Sequence, residues 1–215
     1  MQHDPAHSAR RFGVVSGTAV ALLGLAYAFV LSVGLLTLPS PDHQIQQPWF
    51  FLLEALIIAI SPAMVSLTIA LHEWTPNDYK SHALASVAFM CMSAVVTCAV
   101  HFAVLTLGSQ PAFAGEPWAH LVFSFKWPSI AYALDILAWD IFFPIAALFA
   151  AITVRGSGLA RVVRNLLFAS AALALLGLAG VPFANMQVRN IGIIGYAAFF
   201  PIAAGSLAQL FRRAG

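Results

Sequence analysis

Asp135 and Asp140 stand five residues apart inside Ile130 to Ile152, a run that otherwise reads as a membrane-crossing helix. A carboxylate at membrane depth is costly, faces a bundle interior or water, and marks an ion, proton or substrate path. On an insertion scale the two aspartates cost roughly 5–7 kcal/mol, while the eleven Leu, Ile and Phe residues of the run return only about 3–7 kcal/mol. The polar face of this helix therefore needs protein partners. The chemistry open to such a pair is to carry a proton or hold a cation.

Pro144 adds to this. Proline cannot donate to the carbonyl four residues earlier, which here belongs to Asp140. Asp140 would then present a carboxylate and a freed backbone oxygen at one kink near mid-membrane, the kind of broken helix at which transporters hold cations and protons. The plainer reading is that a neighbouring Ser, Thr or water satisfies that carbonyl.

Other polar residues fall into register. Glu54, Ser61 and Thr68 make one stripe at intervals of seven, and Ser86, Ser93, Thr97 and His101 make another at intervals of seven, four and four. Tyr132, Asp135 and Trp139 share a face, whereas Asp140 is expected about 140° round the helix from Asp135. Helix rise puts Glu54, His101 and Asp135 each about 7–11 Å inside the outer boundary. Together they predict an outward-facing polar chamber with Lys126 and Arg189 at its rim. The structural alternatives are an ion pair of Glu54 with Arg189 or Lys126, an ion pair of Asp135 with Lys126, and an interhelical hydrogen bond for His101. The serines and threonines read more simply as packing and backbone partners.

The elements that must position these groups are membrane helices. The chain of 215 residues is 61% hydrophobic and only 8% charged, against about 25% charge in a soluble domain. Six apolar spans are predicted at 13–36, 49–71, 83–107, 130–152, 165–182 and 191–211, each near the roughly 20 residues that cross a bilayer core. The fold class is an all-α integral membrane bundle, between a tail at 1–12 and a tail at 212–215. Arg10, Arg11, Lys80, Arg155, Arg161, Arg164, Arg212 and Arg213 share one side of these spans, and only Lys126 and Arg189 lie on the other. Eight against two predicts cytoplasmic termini, in a bacterial inner membrane. The 24-residue run 13–36 exceeds a signal peptide's apolar region and reads as a retained span.

Phe142-Phe143-Pro144-Ile145-Ala146-Ala147 recurs as Phe199-Phe200-Pro201-Ile202-Ala203-Ala204. With Pro62 in the second span, this suggests three hairpins whose descending helices kink at Pro62, Pro144 and Pro201. The aromatic run Glu116 to Trp127 predicts a short interfacial helix on the outer surface, with Trp118, Phe125 and Trp127 at the headgroup level. Gly177, Gly180, Gly192 and Gly195 suit close approach of the last two spans. Cys91 and Cys98, seven apart on one helix, cannot bridge.

No basic patch with interleaved aromatics exists, which argues against nucleic acid. Motifs of serine hydrolases, zinc proteases and phosphate loops are missing. The leading expectation is an outward-facing site for proton- or cation-coupled small-molecule transport or ligand binding, with the lipid bilayer and a small molecule or cation as partners and no cofactor or metal. A subunit or sensor of a larger membrane complex, or a homo-oligomer, is the alternative. A carboxylate- or metal-dependent hydrolase ranks below both, because no span carries paired ligands at metal-binding spacing.

Overall fold

Apolar stretches of this length leave the backbone one way to satisfy its own polar groups in lipid, which is to coil into helices. A computed structural model of the chain describes residues 5–40, 43–113 and 115–213. The start of the expected N-terminal tail (1–4) and the last two residues of the C-terminal one lie outside the described residues. The described residues form α1 (Pro5–Leu36), α2 (Trp49–Trp74), α3 (Lys80–Leu107), α4 (Ala119–Val122), α5 (Ile130–Thr153), α6 (Leu159–Gly177) and α7 (Met186–Arg213). All but α4 are long and apolar enough to cross a membrane, so the chain is a six-span membrane bundle.

The spans close into a ring. Each of α1, α2, α3, α5, α6 and α7 packs on the next, and α7 returns to α1. Lipid is as apolar as the core, so the outer faces keep large residues such as Leu22, Phe29, Val95 and Phe102 exposed. The interior is built on small residues and aromatics, among them Ala138, Phe143, Ala146, Ala147, Phe200 and Ala203.

Three helix starts move furthest from the apolar spans. α1 begins at Pro5 and takes in the rest of the expected tail. α6 begins at Leu159, so Arg161 and Arg164 lie on its first turns rather than in a loop. α7 begins at Met186 because the Asn185 side chain accepts hydrogen bonds from the backbone N–H groups of Gln187 and Val188, at 3.1 and 3.2 Å. That cap starts the helix one turn before its apolar part and carries Arg189 into it.

Two spans are not α-helical throughout. Leu137–Phe142 in α5 and Gly195–Phe199 in α7 are π-helical, with the backbone N–H groups of Phe143 and Phe200 donating to the carbonyls of Ala138 and Gly195. Pro144 and Pro201 each follow the widened turn directly. A serine from the preceding span donates to the same carbonyl in each case: Ser93 to Ala138 at 2.9 Å, and Ser170 to Gly195 at 2.8 Å. The sequence repeat is therefore also a repeat of backbone and partners, across α3/α5 and α6/α7. The third hairpin lacks the device, since α2 runs through Pro62 as an α-helix.

The glycines at the α6–α7 contact leave no space for a side chain. A Cβ on Gly177 would stand 2.7 Å from the Arg189 carbonyl oxygen, and one on Gly195 would stand 2.5 Å from that of Ser170. Between α3 and α5, α4 is a single four-residue turn, shorter than the aromatic run predicted. Trp118 packs its ring against Phe113 at 5.6 Å, while Phe125 leaves the headgroup position expected for it and turns into the bundle.

Candidate functional site

Five ionisable side chains from four spans meet inside the ring. His101 on α3 places Nδ1 at 2.9 Å from Glu54 Oε2 of α2 and Nε2 at 3.3 Å from Asp135 Oδ1 of α5. Arg189 on α7 donates through a terminal NH2 group to Asp135 Oδ2 at 2.8 Å, and through Nε to Asp140 Oδ2 at 3.0 Å. The result is one connected chain running Glu54, His101, Asp135, Arg189, Asp140.

Its geometry depends on the π turn. In an α-helix, residues five apart point about 140° away from each other. The i→i+5 turns through Leu137–Phe142 bring such residues back onto one side. The expected divergence of Asp135 and Asp140 is thus corrected, and one guanidinium spans both. This also changes the role foreseen for Asp140, whose carboxylate is held by Arg189 rather than standing alone at a kink.

The polar chamber expected at this depth is filled by these side chains themselves. Glu54, His101, Asp135 and Arg189 are all buried, and Asp140 is 0% exposed. Phe125 from the loop between α4 and α5 stacks on His101 at 4.8 Å with the planes 26° apart. The Tyr132 ring lies 5.0 Å from the Arg189 guanidinium, close enough for a cation–π contact. Below, an apolar cavity of about 20 Å³, room for about one water, is lined by Tyr27, Ile57, Trp139 and Tyr196 among others.

The two basic residues assigned to the rim behave differently. Lys126 is exposed and makes no ion pair among the described residues, so neither Glu54 nor Asp135 pairs with it. Arg189 is only 4% exposed and sits at the centre of the cluster, because the Asn185 cap draws it into α7. Hydropathy alone assigns it to the rim, since Met186 to Asn190 is too polar to count as part of a span. The cap residue ahead of Met186 is the signal in the sequence that points the other way.

The stripes are only partly recruited. Ser61 and Thr68 donate back to their own helix, at Ile57 and Val65. Ser86 and Ser93 instead donate across to α5, at the carbonyls of Ala146 and Ala138. Buried atoms without a partner include Thr97 Oγ1 and Asp140 Oδ1. No three His, Cys, Asp or Glu side chains among the described residues are disposed around a common metal position.

The electrostatics are acidic. Three carboxylates face one permanent cation and one histidine, largely shielded from water, where an unbalanced charge is expensive. Compared with known protein families, curated proteins and solved structures, the chain matches none.

Proposed function

We propose that this chain is a proton- or cation-coupled carrier of a small molecule, with Glu54, His101, Asp135, Arg189 and Asp140 as its coupling site. The observation that carries the reading is the connected acidic cluster at membrane depth. Buried carboxylates in a span are expensive and belong to ion and proton paths. Further support comes from the π-helical segments at and opposite the cluster, since such segments are frequent at functional sites. Tyr132 belongs to the site through its contact with Arg189. With Arg189 withdrawn into the bundle, the positive charges divide more sharply between the two sides. That asymmetry supports cytoplasmic termini.

Purified protein in proteoliposomes tests this. An imposed pH or cation gradient should drive flux, read by a trapped pH-sensitive dye and by uptake of a broad panel of labelled small molecules. Asp140→Asn should remain inserted and folded yet lose the coupled flux. Wild-type vesicles that respond to neither gradient across the panel would overturn the carrier and favour a subunit of a larger complex.

A further inference from the structure

The coupling ion can be named from hydrogen counting. Each contact of His101, to Glu54 and to Asp135, needs one hydrogen between nitrogen and oxygen. A neutral imidazole has a single N–H. The trio therefore holds two protons, either as an imidazolium between two carboxylates or as a neutral imidazole with one carboxylic acid. Both arrangements carry one net negative charge, and Arg189 balances it. The charge left over belongs to Asp140.

Asp140 is fully buried, and Arg189 satisfies only its Oδ2. Oδ1 has no partner. The flank beside Oδ1 is taken by the backbone of α7, so close that a Cβ on Gly192 would lie 2.6 Å from it. Calcium or magnesium would need about six oxygen ligands around a point beside that atom. A proton needs neither the space nor the ligands, and it removes an uncompensated buried charge. Among the described residues, the groups around Asp140 supply no second cation. From α7 come Arg189 and the neutral Tyr196, which packs on Trp139, and from α5 come Asp135 and Tyr132. From α3 comes His101 with its protons already engaged, and α6 has no ionisable residue from Asn165 to Gly177.

We propose that the ion taken by this site is a proton rather than a metal cation, and that Asp140 Oδ1 is where it binds. Arrival of one proton makes the five-residue cluster neutral, and its departure restores one negative charge, with no other bond made or broken. The inference names the coupling ion of the carrier proposed above and rests on that reading only for what the proton drives.

Infrared difference spectra between alkaline and acidic buffer, on purified protein in vesicles, read the protonation without needing transport. The expected result is a carboxylic-acid carbonyl band that appears on acidification, shifts in D2O and is lost in Asp140→Asn. Sodium, potassium or calcium chloride at constant pH should leave it unchanged. Gly192→Ala keeps the carboxylate but presses a methyl on Oδ1, and it should shift both the band and its titration midpoint. The proposal is overturned by a full band in Asp140→Asn, by removal of the band on adding any of the three salts, or by a Gly192→Ala spectrum identical to wild type. Should Asp140→Asn fail to fold, the Gly192→Ala spectrum decides. Vesicles that show the band but no flux would remove the carrier and keep the proton site.

Discussion

Arg189 is the residue on which the cluster depends, since among the described residues it alone holds two carboxylates from one helix. Removing one partner of a buried ion pair costs about 3–5 kcal/mol, mostly from the charge left behind. Arg189→Gln should therefore lose about 3 kcal/mol in a chemical unfolding measurement in mixed micelles. Adding Asp140→Asn to that variant should recover part of the loss, because it removes one stranded charge. If the double variant is less stable than Arg189→Gln, charge balance is not what Arg189 supplies. The same logic ranks the carboxylates. Asp135 pairs with both His101 and Arg189, whereas Glu54 pairs, among the described residues, with His101 alone.

The helix, as an element, is what converts spacing into contact. A proline four residues on cannot donate to the carbonyl of Asp140 or Ala197, and in both spans the residues just before it widen into a π turn. Ser93 and Ser170 hold equivalent carbonyls of those turns. A typical buried hydrogen bond is worth about 1 kcal/mol net, and bonds between membrane helices average about 0.6 kcal/mol. Ser93→Ala and Ser170→Ala should each lower stability by roughly that amount and by similar steps, as read by thermal unfolding in detergent. A large cost for one and none for the other would deny the equivalence. Gly177→Ala acts on the same pair of helices through sterics. Its methyl would meet the Arg189 carbonyl oxygen at 2.7 Å, and overpacking of this kind costs about 1–3 kcal/mol.

For the molecule as a whole, charge asymmetry and span number jointly decide orientation. An even number of crossings puts both termini on one side, and the loop and terminal arginines cluster there. Single-cysteine labelling in intact cells checks this in a background without Cys91 and Cys98. Arg161→Cys should react only after permeabilisation, and Lys126→Cys should react without it. Labelling of Arg161→Cys from outside would invert the molecule and with it the direction assigned to the site.

Helix content, the number of spans and the polar stripes were legible in the sequence because each follows from local arithmetic. Hydropathy over about 20 residues marks a span, and intervals of three, four and seven put residues on one face. Spacing and helix rise alone put Glu54, His101 and Asp135 at one depth. Two decisions lay beyond that arithmetic. One was the π turn, which overrides the 100° step and turns Asp140 towards Asp135. The other was the Asn185 cap, which buries Arg189 where the polar run Met186 to Asn190 looks like loop. Both concern how a backbone adjusts to its neighbours. Ser93 and Ser170 hold the widened turns from other helices, and Gly177 and Gly192 let α7 come close enough for Arg189 to reach two carboxylates. Residue types and spacing determined which groups could meet at one depth. Only the packing of α7 against α5 and α6 decided that they meet around one guanidinium, because that distance is set by side chains far apart in the chain.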